Sequence, residues 1–295
     1  MALMRNEVNQ LKDKDLAGDR LISEINELLE ASDYSTAIEK ILSSGDDIDN
    51  DVEKHNILSK CYMFLKDLEN AKFHYQKAKS IEEFNINTAW NGVRLLLAEG
   101  KAPDAVVLGK EYIKQDEDNL EGLVILGSSL RVIGDFKESL AYLDKALQIN
   151  PKYAEALIQK GVIALSSQDK KLALDLFNEA FLIKSTIKQI WDPLISLLVE
   201  FEKYKDAIEV ILKTLNIDQN DESRVKHLVA CNQKIGDPSL AIKYLSEACK
   251  ALPNNFLLRL NLGLSFKQVG KFEQAAENLR TAIMIDDNQH QLHNE

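Results

Sequence analysis

Three cationic side chains, Lys60, Arg94 and Arg131, follow one another at separations of 34 and 37 residues. Ammonium and guanidinium groups that converge on one spot can bind a carboxylate, and arginine can do so with two parallel hydrogen bonds. Cations that lie close together repel one another unless an anion is near. These residues therefore predict a site for the acidic side chains or the terminal carboxylate of an extended peptide. The alternative is that resident carboxylates such as Glu53 or Glu121 neutralise them.

Catalytic and metal-binding constellations are not recognisable in the sequence. His290 and His293 stand three residues apart without a third ligand near them, which does not make a zinc site. No phosphate-binding glycine loop and no Gly-x-Ser-x-Gly elbow is present. Cys61, Cys231 and Cys249 have no paired spacing and are typical of buried, reduced thiols. We therefore predict a non-enzymatic, cytoplasmic protein that needs no cofactor and no metal.

The acidic balance of the chain restricts the class of partner. A net charge of −11 opposes binding to nucleic acid and to anionic lipid, both of which require a basic surface. The first residues lack the apolar core of a signal peptide, and no run of 18 apolar residues follows. We expect protein or peptide partners, and neither nucleic acid nor a membrane.

These residues belong to a sequence that repeats every 34 residues, without insertion or deletion, from Gly18 to Gln289. Periods of this size are typical of solenoids, in which each repeat buries its apolar face on its neighbours. We predict a capping helix over residues 1–17, and over 290–295 either the start of a further helix or a frayed tail. The eight predicted units are 18–51, 52–85, 86–119, 120–153, 154–187, 188–221, 222–255 and 256–289. Position 20 of these units reads Ala37, Ala71, Ala105, Ser139, Ala173, Ala207, Ala241 and Ala275.

Each repeat has the pattern of a helical hairpin, which is clearest in residues 120–153. Two stretches with apolar residues at three- and four-residue spacing indicate two amphipathic helices. Gly134 and Asp135 separate them, and Asp135 with Glu138 makes a capping-box pattern at the start of the second helix. Pro151 closes the unit, because proline disfavours a helical conformation of the preceding residue.

The pattern resembles the tetratricopeptide repeat (TPR) family over residues 18–289. The resemblance rests on the Leu-Gly pairs at 126–127 and 262–263, the alanines at positions 20 and 27, aromatic residues at position 24 and prolines at position 32. It implies an all-α fold, a right-handed superhelical solenoid of antiparallel helix pairs. It also implies a scaffold or adaptor that binds an extended peptide or partner protein in a concave groove lined mainly by the first helices.

The resemblance also implies which residues face the groove, since in this family they fall mainly at positions 2, 5, 6, 9, 12 and 13 of a repeat. Trp90 has two interpretations, an exposed anchor or a core residue, and so has the apolar strip of repeat five. The carboxylate clamp of some TPR domains fits only approximately, because Asn56 and Lys60 are in reversed order and Glu121 replaces a cation. The predicted ligand-binding residues are Asn56, Lys60, Trp90, Asn91, Arg94, Ser128, Arg131, Ile158, Val162 and Leu165.

Repeat six is the irregular one, because Pro193 would interrupt a helix that began at residue 188. We predict a late start, with Asp192 as the N-cap and Pro193 at the first helical position.

Two alternatives to the scaffold hypothesis remain open at the level of sequence. The chain could be the substrate-recognition region of a larger transferase or oxygenase, because TPR arrays occur beside such domains. It could also self-associate through the exposed ends of a solenoid into a larger assembly.

Overall fold

The structure, a computed structural model, describes residues 21–29, 31–44, 51–218 and 222–293. The predicted capping helix over residues 1–17 lies outside the described residues. The chain divides into two compact units, one ending at Asp169 and the other beginning at Lys170. All regular secondary structure in the described ranges is helical. The predicted all-α class is therefore confirmed.

The first unit consists of helices joined by short turns, and successive helices pack side by side. Its helices are α1 (residues 21–29), α2 (Tyr34–Ser43), α3 (Asp51–Phe64), α4 (Leu68–Ile81), α5 (Ile86–Ala98), α6 (Ala102–Ile113), α7 (Leu120–Val132), α8 (Phe136–Ile149) and α9 (Ala154–Ser166).

The second unit has the same construction, with one short 3₁₀ turn over Lys188–Ile190. Its helices are α10 (Lys170–Ile183), α11 (Trp191–Glu200), α12 (Tyr204–Ile217), α13 (Glu222–Ile235), α14 (Pro238–Ala251), α15 (Phe256–Gln268) and α16 (Phe272–His293).

The turn inside each hairpin recurs with the 34-residue period, and every second helix begins at position 17 of its repeat. Position 15 adopts a left-handed backbone conformation in all eight turns, with φ between +58° and +86°. Glycine, which tolerates this conformation without steric cost, occupies only four of these positions. The predicted cap is confirmed, because Asp135 Oδ1 accepts the Glu138 backbone N–H at 3.1 Å. The residues at position 15 are Ser32, Lys66, Gly100, Gly134, Gln168, Glu202, Gly236 and Gly270.

Small residues lie where the helices approach one another most closely. The residues at position 20 are all buried, with at most 7% of their surface exposed. A Cβ atom on Gly127 would lie 2.9 Å from the Leu143 side chain, so α7 and α8 could not approach as closely with a larger residue there. Ser139, which replaces alanine, donates its hydroxyl hydrogen to the Gly127 carbonyl at 2.6 Å.

Helix α11 starts earlier than predicted. Its first residue is Trp191, and Ile190, the last residue of the 3₁₀ turn, occupies the N-cap. The prediction that Asp192 is the cap is therefore wrong. Pro193 lies in the first turn, where a backbone N–H has no partner within the helix, so its missing N–H costs nothing. The Trp191 indole donates to the Ser185 carbonyl at 2.8 Å and so ties the helix start to the preceding turn.

Helix α16 runs through the predicted end of repeat eight at residue 289. Residues 290–293 continue α16, so they neither start a further helix nor form a frayed tail. The reason is local, because residues 286–289 contain no proline or glycine, whereas Pro151 and Pro253 follow the second helices of two other repeats. Among the described helices, none is both long and apolar enough to span a lipid bilayer.

Candidate functional site

The predicted polar residues of repeats two and three meet Glu121 of repeat four in one cluster. Lys60 on α3 donates from Nζ to Glu121 Oε1 at 2.7 Å. Arg94 on α5 donates from Nη2 to the same carboxylate oxygen. We call this group the Lys60–Arg94–Glu121 cluster. It joins the first helices of three successive repeats.

Buried amides hold the arginine of this cluster in place. Arg94 Nη1 donates to Asn91 Oδ1 at 3.2 Å, and Asn91 Nδ2 donates to the backbone carbonyl of Asn56 at 3.0 Å. Asn56 in turn donates to Asn85 Oδ1 at 3.2 Å and accepts the Thr88 hydroxyl at 3.0 Å. Asn56, Thr88 and Asn91 are all buried. Because each amide has a fixed partner, the guanidinium is positioned before any ligand arrives.

The charges of the cluster do not cancel. Burial opposes ionisation of Glu121, but the charges of Arg94 and Lys60 and their hydrogen bonds outweigh it and lower the pKa of this carboxyl group. The three side chains of the cluster carry a formal charge of +1 together, and Glu155 is a further carboxylate whose charge acts, like those of Glu121 and Arg94, on Tyr153. The side chains of Lys60 and Glu121 are 32% and 40% exposed, whereas that of Arg94 is 17% exposed. The cluster is therefore a partly solvated cationic surface.

Arg131, the third predicted cation, makes a different contact. Its Nε donates to Gln159 Oε1 at 3.1 Å, which joins α7 to α9. Burial lowers the pKa of Arg131. Ser128, on the same helix, is half-buried. The structure thus brings two of the three cations together on Glu121 and gives the third a neutral partner.

The apolar residues of the predicted site lie mostly inside the molecule. Trp90 is 2% exposed in the core of the first unit, where its ring meets Tyr112 edge to face. The structure therefore places Trp90 as core rather than as an exposed anchor. Ile158 is buried, and Val162 and Leu165 are half-buried, so this strip offers only part of its surface.

Sequence reasoning did not include Asn85 and Thr88 among the site residues. It did name Glu121 as a resident carboxylate that could neutralise the cations, and the structure bears out this alternative for Lys60 and Arg94. Glu121 lies in the first turn of α7. Asn85 caps α5 by accepting the Asn87 and Thr88 backbone N–H groups. A local signal for this cap existed, because an asparagine directly precedes a predicted helix. Its bond to Asn56 joins positions 29 residues apart, and no local pattern predicts such a contact.

Comparison with known families supports the repeat assignment. A family model described as tetratricopeptide repeat matches residues 126–182, and a second one with the same description matches residues 55–85 and 258–289. The chain is a tetratricopeptide-repeat protein.

Solved structures share the fold at low identity. A thermophilic TPR protein of Thermus thermophilus is 17% identical, and the match covers 61% of this chain and 98% of that one with a TM-score of 0.52. A chain of the APC/C heterotetramer Cut9–Hcn1 is 16% identical, and the match covers 82% of this chain and 48% of that one with a TM-score of 0.54. At these identities the similarity concerns the fold alone.

Proposed function

We propose that this TPR chain is a non-enzymatic interaction scaffold that holds an extended, acidic segment of a partner protein against the first helices of repeats two to four. TPR arrays in general are protein-interaction architectures. The observation that supports this particular site is the Lys60–Arg94–Glu121 cluster, which is partly exposed and cationic in a chain of net charge −11.

The cluster retains hydrogen-bonding capacity for a carboxylate. A lysine ammonium group has three N–H donors and a guanidinium has five. Lys60 gives one donor to Glu121, and Arg94 gives two of its nitrogens to Asn91 and Glu121. An incoming carboxylate can therefore bind beside Glu121 or replace it. Ligand charge that compensates the excess of about +1 is favoured because the cluster is partly shielded from water.

Binding at this site requires little reorganisation. Arg94 is held by Asn91, and Asn91 is held by the backbone of Asn56. Ordering a flexible arginine during binding costs conformational entropy, and a positioned arginine has already lost it. The buried amide chain thus supports recognition without touching the ligand.

A peptide-display selection tests the proposal. We expect the wild-type chain to enrich peptides rich in Asp and Glu or ending in a free carboxylate, and the Lys60→Gln/Arg94→Gln variant to lose this enrichment. The matched control is Lys72→Gln/Lys101→Gln, because Lys72 and Lys101 also share one carboxylate, that of Glu99, and are exposed. The control should keep the enrichment. Equal enrichment by the wild type and the Lys60/Arg94 variant would refute the proposed site.

The Glu121→Gln variant tests whether the ligand is acidic or basic. The substitution removes the resident carboxylate and leaves the two cations, so an acidic peptide should bind more tightly, by roughly fivefold or about 1 kcal/mol. Isothermal titration at two salt concentrations measures the change, and the gain should shrink at high salt. A weaker complex after Glu121→Gln would mean that the ligand is basic.

A further inference from the structure

The second unit contains a cavity of about 280 Å³ between α13, α14 and α15. We call it the α13–α15 cavity. Its lining includes the apolar side chains of Val229, Leu245 and Leu264 and the amides of Asn232 and Asn261. At about 30 Å³ for each water molecule, such a volume equals roughly nine waters. It is large enough for one amino-acid side chain together with some solvent.

Repeat seven carries smaller or more polar residues than most other repeats at two positions that line the cavity. Position 11 is leucine in four repeats, aromatic in two and alanine in one, but it is Asn232 in repeat seven. Position 17 is aromatic in four repeats, but it is Pro238 in repeat seven. Both residues line the cavity. Smaller and more polar residues at these two positions leave space where a hydrophobic side chain would otherwise pack.

Asn232 is buried, and its amide oxygen is unpaired within the described part of the chain. It is 6% exposed, and its Nδ2 donates to the Leu228 carbonyl at 3.0 Å. Its Oδ1 has no hydrogen-bond partner among the described residues. Buried carbonyl oxygens in native proteins nearly always accept a hydrogen bond. Asn232 Oδ1 can therefore accept a hydrogen bond from a donor that enters the cavity.

Asn278 of the same unit is a buried asparagine in which both side-chain polar atoms have hydrogen-bond partners. Its Nδ2 donates to the backbone carbonyl four residues earlier, that of Gln274. Its Oδ1 accepts from Arg259 Nη1 at 3.1 Å. Asn232 makes the same helix-backbone contact, but within the described ranges nothing donates to its Oδ1.

The lining selects a neutral ligand that both donates and accepts hydrogen bonds. Among the described residues, no lysine or arginine lines the cavity, so a carboxylate finds no counter-charge. The one charged lining residue is Asp237, and its carboxylate caps α14 by accepting the Ser239 and Leu240 backbone N–H groups. The positive end of that helix offsets its attraction for a cation. A carboxamide fits, because its NH₂ can bond Asn232 and its oxygen can accept from a lining amide.

We propose that the α13–α15 cavity takes up the carboxamide of an asparagine or glutamine side chain. This rests on the proposed function, in which the chain binds an extended peptide, and it adds a second determinant of which peptide is bound. The apolar lining residues contact the methylene carbons of the side chain, and Asn232 Oδ1 accepts a hydrogen bond from its amide.

Methyl NMR with small probes tests this site without any partner protein. N-acetylglutamine methylamide is titrated into the chain labelled at the methyl groups of Val229, Leu245 and Leu264, in parallel with the glutamate, lysine and leucine analogues. We expect saturable shifts with the glutamine probe and none with the glutamate and lysine probes. Equal shifts with all four probes, or none with glutamine, would overturn the proposal.

Two variants separate recognition from folding. Asn232→Leu fills the cavity with the residue that four other repeats carry, so the glutamine shifts should disappear while the chain stays folded. Asn278→Ala is the matched control, and it should leave the glutamine shifts unchanged. Shifts that persist in Asn232→Leu would refute the site. Because enrichment of acidic peptides depends on Lys60 and Arg94, it would survive a failure of this proposal, and the two failures are distinguishable.

Discussion

The first helices of the two units use buried asparagine in opposite ways. In the first unit, Asn56 and Asn91 bond each other and Arg94, and the chain of bonds ends at a carboxylate that joins two cations. In the second unit, Asn232 donates to its own helix and lines a cavity, and no residue that the structure describes donates to its Oδ1. The same residue type therefore completes a network in one unit and leaves one incomplete in the other.

The difference shows how one repeat pattern can produce two kinds of surface. A complete network fixes the position of charged groups and presents them at the surface. An incomplete one leaves a buried acceptor and space beside it. From this comparison we expect that substitutions at tightly packed positions of the first unit lower the free energy of unfolding. A larger apolar residue in the α13–α15 cavity of the second unit should raise it.

The largest effect is expected for Gly122→Ala in the first unit. A Cβ atom on Gly122 would lie 2.4 Å from the Trp90 ring, which is buried. Overpacking of this kind costs about 1–3 kcal/mol, which urea denaturation will measure as a lower midpoint. Ser128→Ala on the same helix is the control and should change stability little. A Gly122→Ala midpoint equal to that of the wild type would mean that Trp90 has room to move.

The first unit should also lose stability in acid through His74. His74 Nδ1 lies 2.8 Å from His55 Nδ1, so one ring must be an uncharged acceptor. Burial, with the charges of His55 and Lys54, lowers the pKa of His74 to about 4. An unfolded histidine titrates near pH ~6.5, so between these values the unfolded chain binds more protons than the folded chain. The free energy of unfolding is therefore highest above pH ~6.5 and decreases as the pH falls toward 4.

Denaturation at pH ~7 and ~5 measures this loss, which we expect to be on the order of 2 kcal/mol. In His74→Gln the difference between the two pH values should be smaller by that amount. The same pH dependence in the variant and the wild type would exclude His74 as the cause.

In the second unit, Asn232→Leu should stabilise the chain by about 1 kcal/mol, because it removes an unsatisfied buried acceptor and fills space. Asn278→Leu should destabilise it by about 1–3 kcal/mol, since Arg259 loses its acceptor. Thermal unfolding of both variants measures the contrast. A loss of stability in Asn232→Leu as large as that in Asn278→Leu would show that Asn232 Oδ1 has a partner in the folded chain.

The smallest effect is expected in the hairpin turns, which occur in both units. Lys66 has a φ of 63°, and this conformation costs a residue with a Cβ atom about 1–2 kcal/mol. Part of the gain from Lys66→Gly is lost to the greater freedom of glycine in the unfolded chain, so we expect a net stabilisation of about 0.5 kcal/mol. Gly134→Ala should cost about 1 kcal/mol. Melting curves followed by circular dichroism measure both changes. A shift of both melting temperatures in the same direction would contradict this account.

Most of the helix positions could be predicted from short stretches of sequence. The cap at Asp135 depends on residues three apart, and the buried alanines at position 20 depend on a period that is visible in the sequence. The start of helix α11 was predicted too late, since the 3₁₀ turn before Trp191 has no sequence signal of its own. The continuation of α16 past residue 289 was missed because the period predicted a boundary where no breaker residue stands.

The candidate site was predictable in residue type and only partly in its contacts. The spacing of Lys60 and Arg94 correctly indicated that these cations lie close together. The spacing did not show that Arg131 bonds Gln159, or that the Trp90 ring lies against Gly122 in the core. These outcomes depend on side-chain directions, which a pattern of residue types does not contain.

The sequence by itself determined the repeat, the starts of the second helices and the small residues between helices, because each of these follows from local propensity and a fixed period. Only the tertiary structure decided that one carboxylate joins Lys60 to Arg94 and that Asn232 Oδ1 is unpaired among the described residues. Lys60 and Glu121 are 61 residues apart along the chain. Contacts over such distances arise from how successive helices stack. Which hydrogen-bond partners a buried polar group finds is decided only when the neighbouring side chains are in place.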